Sequence, residues 1–227
     1  MFEKKKTIVV FGANGCVGNS VVNLLENQGH RVIKVVHTRA VRDRIVKNNP
    51  DDECRFADVG KYEELRRVAN RFHQESIGLD SIIYAVGKYE KGGCLERKTS
   101  SVNRFSPNMI HDEITAQLTG LLFVFKAMLP NLVDNGSIIF VSAITHGDFS
   151  HEVITYVEQE RIIELMRNDS LVKQRDVLIH HLGFGPIRTH YYDEVWLPNG
   201  ILSVELVTKE IAAALEFSGA TSFTKLP

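Results

Sequence analysis

Short, nearly uninterrupted apolar runs alternate with longer segments in which apolar positions recur at helical spacing, and the alternation holds from one end of the chain to the other. The runs at 7–11, 31–36, 53–56, 81–84, 137–141 and 177–181 predict strands. The amphipathic segments at 16–28, 40–48, 62–75, 107–132, 153–168 and 204–217 predict helices. Strands such as Thr-Ile-Val-Val-Phe and Ser-Ile-Ile-Phe-Val lack the every-second-residue polarity of a half-solvated sheet, so both of their faces are expected to be buried, as in parallel sheets. Strand and helix in regular succession imply right-handed crossovers and a doubly wound α/β architecture. A chain of 227 residues suits one such domain, spanning 1–227, with a mainly parallel sheet of six or seven strands, the last short or missing.

Charge narrows the partners. Lys plus Arg number 27 against 28 for Asp plus Glu, so no net field draws the chain to nucleic acid or to an acidic membrane, and a nucleotide or small molecule is expected instead. Cys16, Cys54 and Cys94 are widely spaced and odd in number, which suits reduced thiols and neither a disulfide framework nor a metal site. His180 and His181 are neighbours on a strand and face opposite sides, a poor metal pair. The basic start at 1–6 imitates a signal peptide, but its apolar run is cut at Gly12. The longest apolar stretch, 118–129, is interrupted by Lys126 and falls short of the roughly 20 residues of a membrane span. A soluble cytoplasmic protein is the expectation.

The first strand runs into Phe11-Gly12-Ala13-Asn14-Gly15-Cys16-Val17-Gly18, which opens the first helix. A glycine-rich turn in that place is suited to a dinucleotide pyrophosphate: Gly12 for the tight turn, Gly15 for close approach of phosphate to backbone amides, Gly18 for helix-on-strand packing. The bland alternative is a tight connection with no ligand. The second strand ends Val35-Val36-His37-Thr38-Arg39 without the carboxylate that would hold the ribose hydroxyls of NAD. NADP(H) is therefore the expected cofactor and NAD(H) the alternative, with Arg39 as phosphate clamp assisted by His37, Thr38 or Arg42. Against this stands Arg39 as an ordinary solvated charge.

Two segments break the rhythm. Residues 88–106 carry Lys88, Lys91, Arg97, Lys98 and Arg104, and read as a lid or as a solvated loop. Residues 189–200 carry Tyr191, Tyr192 and Trp196, which either line a substrate pocket or pack on the body.

Over nearly its whole length the chain resembles the short-chain dehydrogenase/reductase family. The resemblance rests on Asp58-Val59 after the third strand, Tyr84-Ala85-Val86-Gly87 after the fourth, and Phe184-Gly185-Pro186-Ile187-Arg188-Thr189 after the sixth. Its most specific part is Gln117-Leu118-Thr119-Gly120, then Lys126 to Pro130, then Gly136 to Ser142. It implies a Rossmann-type fold, a nicotinamide cofactor and oxidoreductase activity. It also implies cofactor contacts from Asn14, Cys16 and Val17 in the glycine turn and from Asp58, Val59, Ala85, Val86, Gly87, Gly185, Ile187 and Thr189. The glycine spacing follows the family's extended and atypical branches, whereas the middle of the chain follows its standard pattern.

The departures fall on the chemistry. The family's catalytic Asn, Ser, Tyr and Lys align with Gln117, Ala143 (Ser142 just before it), Tyr156 and Glu160. A phenol with a solution pKa near 10 serves as acid or base once a cation one helical turn away lowers it, and Glu160 in that place does the reverse. Ala143 cannot polarise a carbonyl, and loss of such a donor costs on the order of 100-fold in rate. His146 and His151 offer a rescue as acids beside Ser142, although surface loop histidines are the blander reading. Lys126 reads as a helix flank. Ile162, Ile163, Leu165 and Met166 form a broad apolar stripe expected in the core, and the resemblance implies pairing of this helix and the one before Pro130 in a homodimer or homotetramer. Three functions remain open: an NADP(H)-dependent carbonyl reductase with an atypical site, a non-redox isomerase or dehydratase on the same fold, and a catalytically inactive nucleotide-binding regulator or scaffold.

Overall fold

Strand formation follows the double burial of the apolar runs. In the computed structural model, which describes residues 5–87, 106–143, 150–185, 187–188, 202–217 and 223–225, the strands are β1 (Thr7–Phe11), β2 (Arg31–Val36), β3 (Cys54–Phe56), β4 (Leu79–Tyr84), β5 (Leu132–Ala143), β6 (Leu178–Phe184), β7 (Ile187–Arg188), β8 (Leu202–Ser203) and β9 (Phe223–Lys225). Seven of them form one sheet in the order β3-β2-β1-β4-β5-β6-β9, and every pairing is parallel. β7 and β8 pair separately. The order reverses between β1 and β4, which opens a crevice at the carboxyl ends of the strands.

One face of the sheet carries α1 (Cys16–Asn27), α2 (Arg39–Asn48) and α8 (Val204–Glu216), whose Val21, Leu25, Val207 and Ile211 pack on Ile8, Val10 and Ile83. The other carries α3 (Tyr62–Gln74), α5 (Gly120–Met128) and α6 (Ser150–Arg167), whose Leu65, Phe72, Leu121, Val124 and Ile163 pack on Val9, Phe11, Ile82 and Phe140. Two apolar layers around a doubly buried sheet make this a single-domain Rossmann-type α/β fold.

Three expectations need correction. The helix expected over 107–132 is divided: α4 (Pro107–Ile114) passes into a π-helical turn, Thr115–Thr119, before α5 begins, and a 3-10 turn, Leu129–Asn131, ends it at Pro130. The helix passes very close to the end of β4: a Cβ on Gly120 would stand 2.6 Å from Tyr84 Oη and 2.8 Å from Val59 Cγ2. The Tyr84 hydroxyl donates to the Ala116 carbonyl within the π turn. The fifth strand starts at Leu132, earlier than expected, because its pairing with β4 shifts register between Leu79 and Ser81 while Asn135 takes a left-handed φ of 59°. Among the described residues of α6 the buried positions are Gln159, Ile163 and Met166, whereas Leu165 is 74% exposed; Leu165 lies about 100° from its neighbour Met166 and so leaves the core face. Sequence reading missed α7 (Ser170–Gln174), a one-turn helix capped by Asp169, whose carboxylate accepts from Leu171 N at 2.8 Å and Val172 N at 3.4 Å.

Candidate functional site

The turn after β1 is fixed by backbone alone. Gly12 takes a left-handed φ of +78°, and its amide and that of Ala13 both donate to the Val35 carbonyl of β2, at 3.2 and 3.4 Å. Ala85, just beyond β4, donates to the Phe11 carbonyl at 3.1 Å. The turn is wedged so tightly that a Cβ on Gly12 would overlap the Ala85 carbonyl, and one on Gly18 would overlap the Gly12 carbonyl. Gly15 stands at the N-cap of α1 in extended conformation, with no side-chain cap, and the first turn of α1 holds no acidic residue. Asn14 and Gly15 are exposed, Cys16 and Val17 half-buried. The positive end of a twelve-residue helix without a side-chain cap, with no Cβ on Gly15 to shield its backbone, fits the pyrophosphate of a dinucleotide.

The ends of β2 and β3 adjoin this turn. Thr38 caps α2, its hydroxyl accepting from Val41 N at 3.3 Å, and no acidic residue lies in the first turn of α2. The exposed Arg39 guanidinium lies 5.1 Å from the centre of the Phe56 ring, and Arg42 pairs with Asp43 at 2.6 Å. His37 Nε2 lies 3.9 Å from Asp58 Oδ2. Asp58 is held in turn: its amide donates to Glu64 at 3.0 Å, Oδ1 accepts from Gly60 N at 2.9 Å, and Oδ2 faces Lys61 Nζ at 3.2 Å. Val59 and Val86 pack against the core, Ala85 is half-buried and Gly87 is exposed. At the end of β6, Gly185 is buried and Ile187 half-buried in β7. Thr189 lies outside the described residues, as do residues 88–105, 189–201 and His146.

The aligned catalytic positions separate into two groups. Gln117 sits in the π turn, where its carbonyl and Oε1 both accept from Gln159 Nε2, at 2.9 and 2.7 Å. Ser142, near the end of β5, is 5% exposed and its hydroxyl lies 2.6 Å from His181 Nε2. Ala143 ends β5. Tyr156 is in α6, its side chain and that of His151 outside the described residues, and Glu160, a turn further on, is exposed. Lys126, the expected helix flank, has its ammonium 5.2 Å from the centre of the Tyr62 ring.

Electrostatics around β6 favour neutral groups. Burial, reinforced by Arg167, lowers His181 to about 4, and the same causes lower His180. As expected for adjacent strand residues, the two rings diverge: His181 meets Ser142, while His180 stands edge-on to Phe217 at 6.4 Å, its buried Nε2 lacking a partner among the described residues. Gln159 was missed from sequence, and its signal is a polar residue on the stripe otherwise filled by Ile163 and Met166.

A strand-order reversal, a glycine turn at the switch point and a helix N-terminus without a side-chain cap define a Rossmann-type protein. The family model for short chain dehydrogenases matches residues 6–157, and the chain belongs to that family, an oxidoreductase family that binds nicotinamide cofactors. No curated protein matches the sequence. Among solved structures, a short chain dehydrogenase from Burkholderia cenocepacia in complex with NADP is 19% identical, with 99% of this chain and 89% of that chain covered at a TM-score of 0.77. Serine dehydrogenase from Escherichia coli is 15% identical, with 96% of each chain covered and a TM-score of 0.78. A glucose/ribitol dehydrogenase of the same family from Brucella melitensis is 18% identical, with 97% of this chain and 95% of that chain covered and a TM-score of 0.74. Likeness at these identities concerns the fold. Among the described residues no helix is long and apolar enough to cross a membrane.

Proposed function

We propose that this chain binds NADP(H) and reduces a carbonyl compound through an altered catalytic set. The observation that carries the nucleotide part is the first turn of α1, free of acidic residues and of any side-chain cap. Gly12, Asn14, Gly15, Cys16, Val17 and Gly18 would hold the pyrophosphate, Arg39 with His37 and Thr38 the 2′-phosphate, and Asp58 and Val59 the adenine. Ala85, Val86, Gly87, Gly185, Ile187 and Thr189 would line the nicotinamide half. NADP(H) is preferred to NAD(H) because α2 begins with Arg39 and no acidic residue in its first turn.

When bound, the nicotinamide supplies the hydride. The chain's own task is the proton, and Tyr156 is the proton-bearing residue retained from the family's set. A phenol with a glutamate, not a lysine, one turn along keeps its proton at neutral pH; it is a weaker acid than the family's lysine-paired tyrosine, yet it still holds a proton to hand to a carbonyl oxygen, whereas it holds no base to take one from an alcohol. Reduction is therefore the proposed direction. A second reading, a nucleotide-binding regulator without turnover, is favoured by Ser142: with its hydroxyl engaged by His181 and Ala143 beside it, neither residue is left to polarise a carbonyl. A cytosolic setting and a homodimer or homotetramer complete the proposal.

Titration of NADPH and NADH against wild type and Arg39→Ala tests the nucleotide part. Wild type is expected to prefer NADPH and the variant to lose about tenfold of that preference. Equal affinity of wild type for both nucleotides removes the clamp, and binding of neither removes the nucleotide reading. NADPH oxidation with a ketone panel, abolished in Tyr156→Phe, separates the reductase from the regulator. Turnover without a change in nicotinamide absorbance would instead indicate the isomerase or dehydratase.

A further inference from the structure

Among the described residues, Gln159 gives its amide to Gln117 alone. Its Nε2 lies 2.9 Å from the main-chain oxygen of Gln117 and 2.7 Å from Gln117 Oε1, and both glutamines are buried, at 2% and 9% exposure. The bond joins α6 to the π turn between α4 and α5, a helix irregularity of the kind that clusters at functional sites. An apolar residue would pack well at position 159, since Ile163 and Met166 on the same stripe of α6 are fully in the core. The carboxamide there fixes an orientation instead. With Oε1 of Gln117 committed as acceptor, its Nε2 is turned the opposite way, toward the exposed Gly87, whose absent Cβ would stand 3.6 Å from that nitrogen.

We infer that Gln159 is a positioning residue that locks the Gln117 carboxamide, so that Gln117 Nε2 serves as a neutral hydrogen-bond donor to an acceptor oxygen on the nicotinamide half of the dinucleotide beside Gly87. The inference rests on the NADP(H) reading above and adds to it a specific polar contact at the opposite end of the ligand from Arg39. A carboxamide does not titrate, and the donor is therefore indifferent to pH. Its direction depends on the partner: a carboxylate at position 159 can only accept, so it would capture Gln117 Nε2 and swing Oε1 toward Gly87, placing an acceptor against an acceptor.

The test compares wild type, Gln159→Glu, Gln159→Met and Gln117→Glu by titration with NADPH and with adenosine 2′,5′-bisphosphate, which lacks the nicotinamide half. The reduced nicotinamide's fluorescence reports its surroundings. Each variant is expected to bind NADPH about tenfold more weakly than wild type, the scale of one lost hydrogen bond, with a diminished change in nicotinamide emission and unaltered affinity for the bisphosphate. Should Gln159→Glu fail to fold, Gln159→Met and Gln117→Glu carry the same comparison. Unchanged NADPH affinity in the variants, or equal weakening of both ligands as a general structural staple would give, overturns the inference while leaving the nucleotide reading intact. Failure of wild type to bind either ligand overturns both, and so identifies the nucleotide reading as the one at fault.

Discussion

The Ser142 hydroxyl lies 2.6 Å from His181 Nε2, joining diagonal positions of β5 and β6 on the α6 side of the sheet. His181 is buried, and its pKa falls from 6.5 to about 4 because burial and Arg167 disfavour the imidazolium. As the pH drops below 6.5 the unfolded chain takes up this proton before the folded one does. The stabilisation is thus complete above pH 6.5 and is lost as the pH falls toward 4, amounting to about 3 kcal/mol at most for this group. His180 shifts in the same direction for the same reasons. Thermal melts at pH 7.5 and 4.5 are expected to show a marked acid destabilisation in wild type and a smaller one in His181→Gln. An identical pH slope in both proteins would mean that His181 does not stay neutral in the fold.

Gly18→Ala is expected to disturb the turn more than a helical alanine ordinarily would, because the added Cβ collides with the rigid Gly12 backbone and not with a movable side chain. The cost is expected to exceed about 2 kcal/mol, or to appear as a loss of NADPH binding if the helix start shifts to relieve it. Gly29→Ala is the contrast: its Cβ would meet nothing within 4 Å, and its cost is confined to the left-handed φ of +86°. Chemical denaturation of the two variants, read beside NADPH titration, checks both expectations. Intact stability together with intact binding in Gly18→Ala would contradict the close packing of this turn.

Leu165 on α6 and Leu122 on α5 are 74% and 43% exposed, and the proposed homodimer or homotetramer would cover this apolar surface. Leu165→Glu is expected to lower the mass measured by light scattering to that of the monomer, with little loss of secondary structure. A wild type that is monomeric at micromolar concentration, or a variant that keeps the wild-type mass, would refute assembly through this face.

The parts of the fold legible in sequence were those where one physical demand dominates. Burial on both faces leaves β1 almost wholly apolar and β2 apolar apart from the ion-paired Arg31 and Lys34, and their bounds, Thr7–Phe11 and Arg31–Val36, coincide with the apolar runs. Gly12 and Gly18 marked the tight turn after β1 because only glycine tolerates the approach of the neighbouring carbonyls. The π turn was hidden because one extra residue per turn leaves the apolar composition of 107–132 unchanged. Leu165 misled because a run of four apolar residues among five, 162–166, cannot all face inward on one helix. Gln117 was found through family resemblance, yet its bond to Gln159 depends on the docking of α6 against the π turn, and no local pattern encodes that contact. The same holds for Ser142, whose partner His181 lies on the next strand.

The amide of Gly12 hangs from Val35, and that of Ala85 from Phe11, so the turn proposed to receive the pyrophosphate is an extension of the sheet's own hydrogen-bond ladder. Such a cradle is rigid before any ligand arrives, and little ordering entropy opposes occupancy. On the proposed reading its grip would be insulated from events at the far end of the crevice: substitutions at the proton-handling positions could accumulate there, and chemistry be altered or abandoned, while affinity for the nucleotide persisted.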